Sequence, residues 1–349
     1  MRGKAFTYLF SYVLAVFAAF SFKVSGLWTW LPIVYGFGVI PTLELIFPAS
    51  VHNLNKESKI KALDEPLFDW VLYLSVPIVL GLSVYFLISM GEIPLWTMTW
   101  WGRVFSMGLI YGVLAINVAH ELGHRLRKGE RFLAKILLAH SQYMHFYIEH
   151  NRGHHKNVGT PKDPSTSRFN EMLPVFWVRA VFTGYMSSWN LERDRLVKNG
   201  NSPWGLNNQM ILFTCIQVSV IALVFSVFGQ MVLVAYMFSA VLGILLLETV
   251  NYIEHYGLTR QKISDHTYER PTPIHSWNSN HRVGRLTLFE LSRHSDHHSR
   301  ANKKYQVLDH HDNSPQMPTG YPGMMLLSAI PPLWFAIMNP RLKKYKDSL

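Results

Sequence analysis

Four stretches of this 349-residue chain have the residue types and spacing for metal chemistry. They are His120-Glu121-Leu122-Gly123-His124, then His150-Asn151-Arg152-Gly153-His154-His155, then Glu254-His255, and finally His294-Ser295-Asp296-His297-His298. On a helix, residues four apart lie only about 40° apart around the axis. His120 and His124 can therefore face one ion. His150 and His154 can do the same, with His155 turned aside by about 100° toward a second ion. His294 and His297, three apart, also share a face, with His298 adjacent. One ion takes roughly four to six protein ligands, so these nine histidines suggest two. Imidazole suits iron, copper, zinc and nickel alike, and spacing alone does not choose among them.

A single pair at this spacing arises by chance among 17 histidines. Three patterns, each beside a carboxylate, do not. Glu121, Glu149, Glu254 and Asp296 stand next to the clusters, where carboxylates commonly hold the second imidazole nitrogen. Glu248 lies two helical turns before His255 inside an apolar run, and a carboxylate there is costly and usually functional. Glu44 is a weaker case near the end of another run. Asp163 and Arg293 orient ligands or form surface ion pairs. His145 is off the face of His150 and is expected to be a hydrogen-bond partner. His275 and His281 are expected to shape a loop, although His275 is kept as a candidate beside the ligands. His310 and His311 are placed at the surface. His52, His140 and His266 have no supporting pattern.

These residues must be positioned by apolar elements. Hydrophobic residues make up 49% of the chain and charged residues 16%, against about 25% charged in soluble domains. The apolar residues gather in runs near 20 long, the length that spans a bilayer. Spans are expected at 6–22, 27–46, 69–90, 95–119, 209–228 and 231–252, with turns at Lys23–Gly26, Gly91–Pro94 and Gly229–Gln230. The 172–190 segment is broken by Arg179 and Gly184. The 323–338 segment is short and contains Pro331-Pro332. Both are expected to lie in the membrane interface. One cysteine, Cys215, excludes disulfides and thiolate metal sites within the chain.

The net charge of +11 could suggest nucleic acid. However, 31 of the 33 basic residues fall at the N-terminus, in 48–68, in 120–208 and in the tail, Lys23 and Arg103 being the exceptions. Six spans put all of those segments on one side, and the positive-inside bias makes that side cytoplasmic. All nine histidines fall there too. The expectation is a single all-α integral membrane domain over 1–349: six transmembrane helices and a cytoplasmic helical cap, formed by 48–68, 120–208 and 253–349, that carries the histidine-rich site. Nucleic acid is not an expected partner.

The residues His120 to His124, Glu149 to His155, Asn251-Tyr252-Ile253-Glu254-His255-Tyr256-Gly257-Leu258 and Leu291 to His298 together resemble the membrane alkane 1-monooxygenases. Thr160 to Ser165 and His275-Ser276-Trp277-Asn278-Ser279 are similar to that family as well. Xylene monooxygenase hydroxylase subunits, desaturases and fatty-acid hydroxylases share the histidine boxes. Ser292 and His281 depart from the alkane branch. The resemblance implies two non-haem iron ions held by the nine histidines, O2 as co-substrate, and a bacterial inner-membrane location. It also implies terminal hydroxylation of medium-chain n-alkanes. Electrons would come from a separate rubredoxin and rubredoxin reductase, and an acidic rubredoxin suits a basic cytoplasmic face. The rival activities are hydroxylation of methyl-aromatics and desaturation or hydroxylation of fatty acyl chains. A histidine-rich transporter would want ligands spread through the spans. A scaffold built on structural zinc needs only four.

Overall fold

The computed structural model describes residues 1–265 and 267–348; His266 and its lack of a pattern lie outside the described residues. Five helices are long and apolar enough to cross a membrane: α1 (Arg2–Lys23), α2 (Gly26–Ile46), α4 (Leu67–Ser89), α5 (Met98–Gly123) and α9 (Gln209–His255). The short α3 (Lys56–Asp64) lies between α2 and α4, started by the Asn55 side chain, which accepts a bond from the Ser58 amide. At 47 residues, α9 is about 70 Å long, twice the thickness of a bilayer core. It breaks at Gly229, whose φ of 80° is left-handed. The turn expected at Gly229–Gln230 is therefore real, and it divides the helix at 209–228 and 230–255. Gly26, at φ 64°, makes the tight turn between α1 and α2.

The most enclosed of these five is α5, about nine-tenths buried over its most apolar 18 residues. It packs on the second half of α9 through glycines. A Cβ on Gly243 would meet the Tyr111 Cβ at 2.7 Å, and one on Gly108 would meet the Leu242 Cβ at 2.7 Å. Without side chains at these points the two backbones approach closely, as small-residue faces do in membrane helices. Both helices end in histidine motifs, so their contact sets where those motifs arrive.

Arg103 has a physical reason to stand apart from the other basic residues. It is buried in α5, and its guanidinium donates to the terminal carbonyls of α1 (Val24) and α4 (Ser89). Those carbonyls have no intrahelical partner and carry the negative end of the helix dipole.

Beyond these helices lie α6 (Lys128–His140), α7 (146–157), α8 (Leu173–Lys198), α10 (Arg282–Thr287), α11 (His294–Ser299), α12 (Tyr321–Ser328) and α13 (Pro331–Lys346). Among the described residues, the strands that depart from the all-α expectation are β1 (Lys262–Ser264) and β2 (Thr267–Tyr268), an antiparallel pair. The prolines 331 and 332 start α13 rather than break it, since the first helical positions need no amide donor. Trp334, Met338 and Leu342, spaced by four, form its buried stripe. Trp334 lies 5.2 Å from both Tyr252 and Tyr256, ring centre to ring centre. This fastens the tail against the end of α9.

Candidate metal centre

The histidine-bearing elements converge. His120 comes from the last turn of α5, and His124 caps the end of that helix. His150, His154 and His155 come from α7, His255 from the end of α9, and His294, His297 and His298 from α11. The ring nitrogens form two groups. One holds His120, His124, His150, His155 and His297; the other holds His154, His255, His294 and His298; within each, the nitrogens lie within 4.8 Å of one another. The groups abut, with the His155 and His298 rings stacked at 4.6 Å.

The expected pairings within α7 and α11 are corrected by this grouping. Residues 149–154 form a π-helical turn. A π turn closes on i+5 instead of i+4, so His150 meets His155, Nε2 to Nε2 at 3.0 Å. His154 is displaced to the other group and lies 3.1 Å from His298. In α11, residues three apart diverge by about 60° and residues four apart by about 40°. His294 and His298 therefore join one group while His297 turns to the other. The short helix sits between the two groups and supplies both.

The ε-nitrogen contacts are 2.9 Å for His124–His150, 3.0 Å for His120–His297, 3.1 Å for His124–His155, and 3.2 Å for both His155–His297 and His255–His294. A neutral imidazole carries one donor and one acceptor nitrogen, so such a knot cannot be satisfied by hydrogen bonds alone. A metal–nitrogen bond of about 2.1 Å places ligands at right angles about 3.0 Å apart, and tetrahedral ligands about 3.4 Å apart. The donor set therefore fits two cations, and its edges fit coordination above four. Burial pushes His124, His150, His155, His294 and His298 well below the ordinary imidazole range, and His297 down to about 3. The neutral form, which ligates, is thus the form held at neutral pH.

The carboxylates behave differently from expectation. Among the described carboxylates, only Asp163 holds a ligand-type histidine from behind: both its oxygens lie 3.0–3.1 Å from His154 Nδ1. The Ser165 amide and the Thr166 hydroxyl also donate to it. Burial alone would raise Asp163, but the neighbouring His154 ring and the hydrogen bonds it accepts bring it below its usual value. Glu121 instead pairs with Arg125 at 2.7 Å and accepts the Tyr305 amide. Glu149 has only the Ser187 hydroxyl at 3.4 Å. Burial first, then the charges of Asp163 and Glu248, hold Glu149 well above the carboxylate range. Asp296 binds Lys303, His311 and the Asp309 amide, not a neighbouring ligand histidine. Glu254 accepts from the Tyr321 hydroxyl at 2.7 Å, and its other oxygen lies 3.2 Å from His294 Nε2. That is the nitrogen facing His255, so this carboxylate looks toward the group instead of backing it.

The remaining candidates are also placed. Glu248 accepts from the Tyr143 hydroxyl at 2.6 Å and from Asn251. Tyr143 is stacked on Phe146 and Phe146 on His150, so two rings separate Glu248 from that ligand. His275 closes a turn on Thr272 and pairs with Glu269, and His281 bonds to Ser279; both are loop structure. His145 is not the hydrogen-bond partner expected. Its ring is buried between Tyr143 and Tyr185, and its Nε2 has no partner among the described residues. His311 is tied to Asp296 and is not a free surface residue. Arg293 is buried and holds the carbonyls of Ser50, His52 and Leu308. Glu44, also buried, accepts the Gly284 amide at 2.9 Å and so fixes α10 to α2.

A narrow apolar cavity of about 60 Å³ approaches the five-histidine group. Leu14, Tyr35, Leu109 and Val113 line it, and Asn117 and Leu291 stand at its inner end. The same two residues line a smaller space that contains His120 and His297. A shallower apolar recess shares Phe37, Leu246 and Met325 with the cavity and extends it outward.

The family model for fatty acid desaturases matches residues 94–327. An alkane 1-monooxygenase of Ectopseudomonas oleovorans is 38% identical over 91% of this chain and 79% of its own length. Alkane 1-monooxygenase 2 of Alcanivorax borkumensis is 35% identical over 99% of this chain and 93% of its own. The chain belongs to the alkane 1-monooxygenase family. It is an enzyme, a membrane protein with a non-haem metal site. The xylene/toluene monooxygenase hydroxylase component of Pseudomonas putida is 27% identical over 93% of the chain.

In this alkane 1-monooxygenase family member, two further residues stand beside the site, Asn117 on the cavity wall and Tyr321 on Glu254. Asn117 had a signal: it is polar within an apolar span, one turn before His120. Tyr321, which fixes Glu254 from 67 residues away, had none.

Proposed function

We propose that this protein hydroxylates the terminal methyl group of medium-chain n-alkanes, giving 1-alkanols. The observation that supports it is the pairing of nine converging imidazoles with a nearly apolar cavity that shares Asn117 and Leu291 with a small space at His120 and His297. His120, His124, His150, His155 and His297 would hold one iron, and His154, His255, His294 and His298 the other. The irons would supply O2 activation, with two electrons and two protons, one oxygen atom going to the methyl carbon and the other to water. We assign the electron supply to rubredoxin and its reductase, docking on a basic cytoplasmic face.

The chain's own residues do the rest. A terminal methyl offers nothing polar to hold, so the cavity walls must select the chain end by shape and exclude water. Asn117 donates to the Leu288 carbonyl at 3.1 Å. This ties the end of α5 to the segment carrying Leu291. Asp163 fixes the orientation of His154. The break at Gly229 supports counting α9 as two spans, hence six in all, in one domain of the bacterial inner membrane with the site on the cytoplasmic side. The apolar cavity suits an alkane, and the relatives named for alkanes share more identity with the chain than the xylene/toluene one.

The test is oxygen-dependent product formation by the reconstituted protein with rubredoxin and reductase. Octane should give 1-octanol. Product only from xylene, or only from a palmitoyl thioester, would replace the reading.

A further inference from the structure

Away from the metal centre, an open pocket of about 310 Å³ lies between the start of α1, the 50–54 segment and the 282–293 segment. Lys4, Arg282, Arg285 and Arg293 line it, and Glu290 is its one carboxylate. We propose that this pocket binds a phosphate group, presented by the headgroup of an anionic phospholipid.

The charges do not balance within the protein. Glu290 is already committed. It accepts from the Tyr8 hydroxyl at 2.6 Å and from Arg285 Nε at 2.6 Å, with Arg293 Nε at 3.9 Å. Among the described residues, neither the Lys4 ammonium nor the exposed Arg282 guanidinium has a hydrogen-bond or ion-pair partner. Arg293 is only 2% exposed, yet its Nε makes no hydrogen bond. Two guanidinium groups thus crowd a single carboxylate, with two further cations at the rim. An anion would offset this repulsion. Guanidinium groups match the oxygens of a phosphate in pairs, and a lysine adds a point charge.

The surroundings favour a lipid as the source. Leu45, Ile46, Phe47 and Val51, just before and at the edge of the 50–54 segment, are 77%, 67%, 52% and 57% exposed, and Phe6 on α1 is 55% exposed. Apolar side chains left open at the end of a membrane helix want acyl chains. The pocket is therefore where a headgroup sits when its tails lie along α1 and α2. Juxtamembrane basic residues contribute about 1 kcal/mol each toward anionic lipids, which is about five-fold in binding per cation.

The full chain would be placed in nanodiscs of phosphatidylcholine mixed with phosphatidylglycerol. Native mass spectrometry would count the lipids retained, and thermal unfolding would be followed in parallel. The wild type should retain phosphatidylglycerol preferentially and unfold at a higher temperature when it is present. The double variant Lys4→Gln/Arg282→Gln, which removes no hydrogen bond or ion pair among the described residues, should lose that preference by about five-fold for each cation. Stabilisation by inorganic phosphate in pure phosphatidylcholine, with none from phosphatidylglycerol in the mixed nanodiscs, would keep the phosphate site and overturn the lipid as its source. Equal retention of phosphatidylglycerol by wild type and variant, with no response to phosphate, would overturn the proposal.

Discussion

At the scale of single residues, histidine type and number were legible, but the carboxylates were misjudged. Adjacency in sequence pointed to Glu121, Glu149 and Asp296 as supports for the ligands. On a helix, however, successive residues turn by about 100°, so a neighbour of a ligand faces elsewhere. Glu121 faces Arg125, and Asp296 faces Lys303. Asp163, in a loop nine residues after His154, folds back to it instead. Replacing Asp163 with Asn keeps the shape but removes the charge at His154 Nδ1. Supporting contacts of this kind are worth about 10- to 100-fold in metal affinity or activity. Asp163→Asn should therefore lose metal from the four-histidine group in a chelator titration, while Asp296→Asn, which touches no ligand directly, should titrate like the wild type.

Among elements, the spans were readable because an apolar run near 20 residues long matches the thickness of a bilayer core and is uncommon in water-soluble helices. What periodicity could not reveal was the π turn at 149–154, since nothing in Glu149 to His154 announces an extra residue per turn. That turn decides which histidines of α7 meet. The join between α7, α8 and α9 was equally hidden. Glu192 on α8 accepts from Arg152 of α7, from Arg195 and from the amide of Gln209, the first residue of α9. Burial works against its charge, but these bonds hold it down to about 2. Its folded value thus lies below its unfolded one, near 4.3. Its stabilisation is complete above the unfolded value and is lost as pH falls from about 4.3 toward 2. Glu192→Gln should cost about 1–3 kcal/mol at pH 7, seen as a lowered unfolding midpoint. The gap between variant and wild type should close as pH approaches 2, and a gap unchanged with pH would contradict this role.

Across the whole molecule, convergence of the histidines depends on how the long helices pack. If the ends of α5 and α9 had pointed apart, His120 and His255 would have belonged to different sites. Instead, glycine-mediated packing carries both helices to one place, where α7 and α11 complete the donor set. Of the two basic residues outside the charge pattern, Arg103 serves as a buried helix cap. The apolar cavity and the Tyr321–Glu254 bond were beyond the sequence because they depend on how separate helices and loops meet, whereas Asn117 left a signal as a polar residue in an apolar span. The central claim is that two groups of imidazoles, five and four, each hold an iron ion. Elemental analysis of purified, active protein tests this most directly, with His124→Ala and His298→Ala as probes of each group. About two iron ions per chain are predicted, with a separate loss from each variant. A preparation that hydroxylates alkanes with no iron, or with a single zinc ion, would contradict it.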